Sequence, residues 1–144
     1  VQGSIYFSSK SLMDNLAGLR DSMQYDLYRY KALPPTMTWI DSIPPQSPYG
    51  LQAHVSSNRK STTLVWQKPN DEQIYGYIIY RFEKGENVNT ANAERILQIS
   101  YDDSYLQYTD NTIKPGGHYF YVVTAIDRMK NESSISNIRE VILP

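Results

Sequence analysis

The chain has 144 residues, 40% of them hydrophobic and 12% aromatic, and a formal net charge of -1 at pH 7. This length fits one domain with an appendage or two very small domains, and the balanced charge does not favour nucleic acid as a partner. The sequence contains no cysteine, which excludes disulfides and cysteine-based zinc sites. No stretch is long and apolar enough to cross a membrane as a helix, so membrane insertion is not expected.

Residues 1–33 are predicted to contain a short strand and an amphipathic helix. Residues 3–7 include Ile, Tyr and Phe, and Asp14 or Asn15 can cap a helix that runs to Tyr30. Six apolar side chains recur at steps of three and four and share one helical stripe: Leu12, Leu16, Leu19, Met23, Leu27 and Tyr30. The first residue is Val, so we expect the chain to be part of a longer protein.

Residues 34–48 form a proline-rich segment, which we call the strap. Five of the eight prolines fall in it. Because proline fixes its own backbone and restricts the preceding residue, the strap is expected to be an extended and stiff linker. Four of its side chains are apolar, namely Met37, Trp39, Ile40 and Ile43. We therefore expect the strap to lie on a neighbouring surface, with Trp39 as its anchor.

From residue 49 onward, short runs of β-branched and aromatic residues alternate with turn signals, a pattern typical of an all-β sandwich. The predicted strands cover residues 50–56, 61–67, 74–83, 94–100, 106–110, 118–127 and 134–142. Leu64, Trp66, Tyr77 and Ile79 are predicted to point into the core. Polar residues 85–92 are expected to form a mobile loop.

The strand predicted at residues 118–127 has the strongest local signal. A Pro115-Gly116 turn precedes an uninterrupted apolar and aromatic run, which suits a strand buried on at least one face. Tyr119 stands where the strand begins. Its ring can enter the core while its hydroxyl bonds the turn backbone, an arrangement called a tyrosine corner.

The outward face of two neighbouring strands is too apolar for a sheet that faces water. If Tyr119 and Tyr121 point inward, the period of two sends the alternate side chains outward. Six large side chains then share that face: Ile78, Tyr80, Phe82, Phe120, Val122 and Ile126. Either the helix and strap cover this face within the chain, or a further domain or partner docks on it.

The sequence gives only weak evidence for metal-binding or catalytic residues. The acidic pairs at residues 71–72 and 102–103 lie in predicted turns without the spacing of a calcium loop. His54 and His118 have no cysteine or second histidine at a ligating spacing. We expect no metal site and no cofactor. Asn131-Glu132-Ser133 is formally a glycosylation sequon, for which a role in a turn is favoured.

Residues 49–144 resemble a fibronectin type III domain. The resemblance is carried by Leu64-x-Trp66, Tyr77-x-Ile79, the pattern Ile-x-Pro-Gly-x-x-Tyr-x-Tyr-x-Val-x-Ala that begins at Ile113, and Asn131-Glu132-Ser133-x-x-Ser136. It implies a mainly β fold, the seven-stranded immunoglobulin-like sandwich. Residues 1–33 are then a strand and helix appendage, and the strap links them to the sandwich.

Residues 3–43 are similar to the end of the catalytic barrel in glycosyl hydrolase-like 10 proteins, which are exported bacterial proteins. The matching stretches are residues 3–12, 18–22, 26–30 and 32–33, and Pro35-x-Met37-x-Trp39. The resemblance implies that residues 1–33 are the last strand and helix of a barrel. Because barrel sites lie at the carboxyl ends of strands, Ser8, Ser9 and Lys10 would approach the substrate in the parent protein. It also implies an extracytoplasmic location, periplasmic or at the cell surface.

These resemblances imply a non-catalytic spacer or docking module of a glycoside hydrolase. A glycosidase needs two carboxylates across the scissile bond, and no complete active site is expected within this chain. The expected partner is the catalytic barrel of the parent protein. The alternatives are a carbohydrate-binding module whose partner is a polysaccharide, and a protein-interaction module that uses the outer sheet face. The unpaired helix or that face can also support self-association.

Overall fold

The computed structural model describes residues 10–144, which contain two packed antiparallel sheets. The strands are β1 (Tyr49–Val55), β2 (Thr62–Gln67), β3 (Gly76–Glu83), β4 (Ile96–Ser100), β5 (Gln107–Asp110), β6 (His118–Ile126) and β7 (Arg139–Ile142). One sheet has the order β1-β2-β5 and the other β4-β3-β6-β7. The predicted seven-stranded sandwich is therefore confirmed for the part of the chain that the structure describes.

Strict alternation along β3 and β6 builds two separate apolar layers. The two strands pair along their whole length, from Gly76 opposite Ile126 to Glu83 opposite Tyr119. Alternate side chains of both strands enter the layer between the sheets, which consists mainly of Leu51, Leu64, Trp66, Ile74, Tyr77, Ile79, Tyr119, Tyr121, Val123, Ala125 and Val141. Trp66, Tyr77 and Tyr119 point into this layer, as predicted. A register shift of one residue would have turned these side chains to the opposite face of their sheets.

Tyr119 has the geometry of a tyrosine corner. Its hydroxyl accepts a hydrogen bond from the backbone N–H of Lys114 at 3.0 Å, which ties the start of β6 to the preceding turn. Its ring lies directly over Gly117, where a Cβ would come within 2.4 Å of the ring and hydroxyl. Glycine at position 117 is therefore required by the close approach of Tyr119.

The Tyr119→Phe variant is expected to lower the free energy of unfolding by about 1–2 kcal/mol, because the Lys114 N–H loses its acceptor. Tyr105→Phe is the matched control. Burial alone raises the pKa of Tyr105, with no hydrogen bond contributing to the shift, so loss of its hydroxyl should change stability by less than about 0.5 kcal/mol. Urea denaturation of both variants measures the difference, and equal effects would contradict the role given to the Tyr119 hydroxyl.

The outer face of the β4-β3-β6-β7 sheet is covered by the chain itself. Its buried side chains are Ile78, Tyr80, Phe82, Val122 and Ile126, and the partly buried ones packed on them are Leu33, Val88, Ile96, Ile99 and Phe120. The Tyr80 and Thr124 hydroxyls both donate to Glu132 Oε1 at 2.7 Å. Most of the cover thus comes from β4 and the β3–β4 connection, and little from the predicted helix and strap.

The last strand is shorter than predicted, because serine side chains replace part of its ladder. β7 begins at Arg139 instead of residue 134. Before it, the Ser133 and Ser136 hydroxyls accept hydrogen bonds from the backbone N–H groups of Ala125 and Val123, at 2.9 and 3.0 Å. The two serine backbones also donate to the carbonyls of the same two residues. These contacts explain why the Asn-Glu-Ser-x-x-Ser motif belongs to this fold.

The predicted continuous helix over residues 14–30 is not formed. The segment contains α1 (Lys10–Met13), a 3-10 turn (Leu16–Gly18), α2 (Leu19–Ser22) and a π-helical turn (Met23–Leu27). Asn15, Ala17 and Gly18 have φ angles of 49°, 54° and 73°, and these left-handed residues interrupt the helix.

The helix is interrupted because its apolar face is not packed against another part of the protein. A short helix in water is stabilised mainly by burial of its apolar face, but Met13, Leu16 and Tyr25 are exposed. The strand predicted at residues 3–7 lies outside the described residues.

Candidate functional site

The strap is fixed to the sandwich through its backbone. The Met37 N–H donates to the Met129 carbonyl at 3.0 Å, and the Gln46 N–H donates to Asp71 Oδ2 at 2.7 Å. Between these points, Asn131 Nδ2 donates to the Asp41 carbonyl at 3.1 Å. The strap therefore lies along the β6–β7 turn and the β2–β3 connection.

The apolar side chains of the strap face away from the sandwich. The Ile40 N–H donates to the Met37 carbonyl at 2.9 Å, and this turn projects Trp39 outward. Trp39 is 71% exposed, Ile40 61% and Ile43 66%, while Met37 is 36% exposed. We call these four side chains the strap surface. Trp39 was predicted to anchor the strap on a neighbouring surface. Because 71% of it is exposed, it is not buried against this sandwich, and its place in an interface stays a prediction.

The β6–β7 turn that holds the strap is itself held by a buried pair. Asn131 donates its backbone N–H to Asp127 Oδ1 at 2.8 Å and its side-chain Nδ2 to Asp127 Oδ2 at 2.9 Å. Since Nδ2 also donates to the Asp41 carbonyl, both of its hydrogens are used. The sequon amide therefore acts as a structural donor inside the turn, in agreement with the role predicted for it.

A second surface lies at the end of the sandwich where β3 begins, β4 ends and the β6–β7 turn passes. The rings of Tyr75 and Tyr101 stack with their centroids 5.7 Å apart and their planes inclined by 29°. Lys130 Nζ lies 4.8 Å from the Tyr75 centroid and 4.4 Å from the Tyr101 centroid. The Arg128 guanidinium lies 5.6 Å from the Tyr75 centroid. We call these four residues the aromatic end cluster.

Backbone features fix the aromatic end cluster. The Tyr75 N–H donates to the Ile126 carbonyl at 2.8 Å. A Cβ on Gly76 would lie 1.9 Å from the Ser100 carbonyl oxygen, so only glycine lets the end of β4 come this close to β3. That approach brings Tyr101 beside Tyr75. Lys130 adopts a φ angle of 69°, which turns the chain back over the two rings.

Three members of the aromatic end cluster, Tyr75, Tyr101 and Arg128, line an open cavity of about 310 Å³, whose lining also contains Glu72, Asp102 and Asp103. Asp103 pairs with the Lys68 ammonium. Hydrogen bonds from the Ser104 hydroxyl and backbone N–H lower the pKa of Asp102, so its carboxylate is ionised at neutral pH. Burial, and then the charge of Asp103, raise the pKa of Tyr77 beneath the cavity to about 12.

The other predicted site residues lie apart from these two surfaces. Ser8 and Ser9 are outside the described residues, and Lys10 is exposed in α1. His118 Nε2 contacts Glu140 Oε1 at 2.6 Å, while His54 is exposed. Within residues 10–144, no three His, Asp or Glu side chains come together as a metal site, and no helix has the length and hydropathy to span a membrane.

Comparison with solved structures identifies the fold. A Fn3-like protein from Clostridium thermocellum superposes with a TM-score of 0.56 and 24% identity, over 71% of this chain and 96% of that protein. The fn3 domain of human contactin 1 gives a TM-score of 0.55 at 13% identity, over 79% of this chain and 82% of that domain. These similarities establish a fibronectin type III fold.

Comparison of sequences extends beyond the sandwich. The chain is 35% identical over 141 residues to the glycosyl hydrolase YngK of Bacillus subtilis. The alignment covers 94% of this chain and 26% of that protein, so the chain spans about a quarter of the relative's length. No family model matches the chain. The chain thus contains a fibronectin type III sandwich and, together with its N-terminal segment, is related to part of a bacterial glycosyl hydrolase.

Proposed function

We propose that this chain is a non-catalytic docking module of a glycoside hydrolase, and that the strap surface lies against the catalytic domain of the same protein. The proposal is carried by one observation. The strap is held on the sandwich by backbone hydrogen bonds at both ends, yet Trp39, Ile40 and Ile43 face solvent. Contiguous exposed apolar side chains on a fixed segment are typical of a contact surface.

The proposed occupant follows from the continuity of the chain. The strap directly continues residues 10–33, where Met13, Leu16 and Tyr25 are also exposed. These residues belong to the part that resembles the end of a catalytic barrel, and the related hydrolase is about four times as long as the matched region. An extracytoplasmic location, which the family resemblance implies, is part of the same proposal.

A non-catalytic role is supported by the state of the carboxylates. Glycoside hydrolysis needs two carboxyl groups placed on either side of the scissile bond. Asp110 is buried and paired with Arg81, Asp103 pairs with Lys68, and Asp127 is buried with Asn131. These carboxylates serve structural pairs and turns, so we expect the acids of the reaction to come from the remainder of the protein.

Hydroxyl-radical footprinting tests the docking. Trp39 is expected to oxidise rapidly in the isolated chain and at least about fivefold more slowly in the full-length hydrolase, because burial in an interface excludes the radical. Tyr49, which is 52% exposed and outside the strap, is the internal control and should oxidise at the same rate in both proteins.

Two results would overturn the docking proposal. One is an equal oxidation rate of Trp39 in the isolated chain and in the full-length protein. The other is protection of Trp39 in the isolated chain that rises with its concentration, since a second copy would then occupy the strap surface.

A further inference from the structure

We propose that the aromatic end cluster and its cavity form a binding site for a neutral oligosaccharide, which holds one or two sugar rings. This site contains none of the four residues of the strap surface, and its test does not depend on the proposed docking. It is built from three connections that meet at one end of the sandwich. Tyr75 comes from the β2–β3 connection, Tyr101 follows β4, and Arg128 and Lys130 belong to the β6–β7 turn.

The first requirement of a sugar site is an apolar platform. A pyranose ring presents a face of C–H groups, and it packs on an aromatic ring while its hydroxyls stay free at the rim. Tyr101 is 43% exposed although it stacks on Tyr75 at 5.7 Å. Tyrosine suits such a platform because its ring is apolar and its hydroxyl remains polar.

The second requirement is a set of hydrogen-bond donors and acceptors around the platform. Lys130 is held over both tyrosine rings and has no carboxylate partner within residues 10–144, so its ammonium protons are available. Arg128 adds guanidinium donors, while Glu72 and Asp102 supply carboxylate acceptors. A sugar hydroxyl both donates and accepts, and therefore matches this mixed set.

The balance of charge selects a neutral ligand. Three carboxylates line the cavity, those of Glu72, Asp102 and Asp103. Three cations lie at the same end, since Lys68 pairs with Asp103 and the cluster contributes Arg128 and Lys130. An anionic ligand would meet the carboxylates and a cationic ligand would meet the cations, so neither is favoured over an uncharged polyol.

The size of the cavity limits the ligand to a short stretch of glycan. Its volume of about 310 Å³ is at the lower end of the range for small-molecule sites. The cavity is open to solvent, so further sugars can extend into water. We therefore expect weak affinity, typical of a surface site that covers few groups of a polymer.

The test is a titration of the 144-residue chain with neutral hexasaccharides of the cellulose, xylan, mannan and chitin types, followed by NMR. At least one of them is expected to shift the signals of Tyr101 and Lys130 with a dissociation constant below about 5 mM. Tyr101→Ala is expected to weaken binding at least about tenfold, because it removes the platform.

A matched variant controls for the loss of an exposed tyrosine. Tyr30 is 41% exposed and carries the Arg29 guanidinium 5.2 Å from its ring centroid, and it belongs to neither surface. Tyr30→Ala should bind as the wild type does. Since Tyr101 is partly exposed, its variant is expected to fold, and thermal unfolding verifies this. If it does not fold, Lys130→Met, which removes only the ammonium, should still weaken binding.

Three results would overturn the proposal. The first is no binding by the wild type to any of the four neutral hexasaccharides at concentrations up to about 5 mM. The second is equal affinity of the wild type and the folded Tyr101→Ala variant. The third is a clear preference for an anionic oligogalacturonide, because the charge argument excludes it. None of these results bears on the strap surface, so the two proposals can fail independently.

Discussion

The Asp110→Ala variant is expected to lose about 3–5 kcal/mol of unfolding free energy, because it removes one partner of a buried ion pair. The Asp110 side chain has no exposed area and ends β5 between the sheets. Its Oδ2 accepts hydrogen bonds from the Arg81 guanidinium at 2.7 Å and the Tyr121 hydroxyl at 2.9 Å. Its Oδ1 accepts from the Thr112 N–H and hydroxyl at 2.8 and 2.7 Å. Alanine removes the carboxylate acceptor of all four donors, and of these the Arg81 guanidinium keeps another acceptor, the Thr112 hydroxyl at 2.7 Å.

The pH dependence of the same variant has a defined sign. Burial alone would raise the pKa of Asp110, but hydrogen bonds from Thr112 and the charge of Arg81 lower it overall. A carboxylate with a lowered folded-state pKa stabilises the fold above its unfolded value of about 3.9, and this contribution is lost as the pH falls through the folded value. The stability difference between wild type and Asp110→Ala should therefore be full at pH 7 and shrink below about pH 4.

Urea denaturation at pH 7 and at acidic pH measures both effects. Asp21→Ala is the control, because the Asp21 carboxylate makes exposed contacts. It lies 3.6 Å from Arg20, with both side chains more than half exposed, and it accepts an exposed hydrogen bond from Asn15 Nδ2 at 2.9 Å. An exposed pair contributes little, so this variant should stay within about 0.5 kcal/mol of the wild type. If Asp110→Ala lowers the free energy of unfolding as little as Asp21→Ala does, the prediction is contradicted. The Arg81 guanidinium and the Tyr121 hydroxyl would then form hydrogen bonds with water in the variant.

The faces of the central strands were predictable from the sequence, because a period of two leaves only one consistent choice. Once Tyr119 is placed inward, Tyr121 and Tyr77 follow, and the opposite set must share the outer face. The structure agrees with both sets. The turn before Tyr119 was equally predictable from the sequence, since Pro115-Gly116 is a turn signal. The Tyr119 hydroxyl can form a hydrogen bond only with the backbone of that turn.

Features that depend on long-range contacts were not predictable in the same way. Tyr75 and Tyr101 are 26 positions apart, and neither has a local signal that it stacks on the other. Gly76 was the available hint, since a glycine within a strand pattern indicates close approach of another backbone. The polar composition of residues 85–92 likewise concealed that Val88 covers the outer face.

The prediction of a continuous helix over residues 14–30 was wrong, because the apolar spacing of a sequence does not show whether anything packs on the helix. Apolar spacing shows which side chains share a stripe, but the helix forms only if something packs on that stripe. In residues 10–33 the apolar side chains Met13 and Tyr25 remain exposed, and Asn15 and Ala17 adopt left-handed φ angles. The same spacing within a complete barrel would have a surface to cover, which fits the proposed origin of this segment.

The Trp66→Ala variant is expected to lose about 3–5 kcal/mol of unfolding free energy, because it opens a large cavity between the sheets. Trp66 is 2% exposed and meets the Tyr77 ring edge-on at 5.6 Å and the Tyr105 ring at 6.2 Å. Removal of the indole takes away the contact surface of both rings. Urea denaturation measures the loss, and a value below about 1.5 kcal/mol would mean that the sheets close over the space.

Trp66→Phe separates the packing of the indole from its polar group. The Nε1 of Trp66 is buried without a hydrogen-bond partner within residues 10–144, and such an unpaired donor costs about 1–3 kcal/mol in the folded state. Phenylalanine removes that donor and keeps one aromatic ring against Tyr77. The loss for Trp66→Phe is therefore expected to be less than half of that for Trp66→Ala. Equal losses would contradict this, because they would show that the unpaired N–H carries no penalty and that the second indole ring supplies the packing.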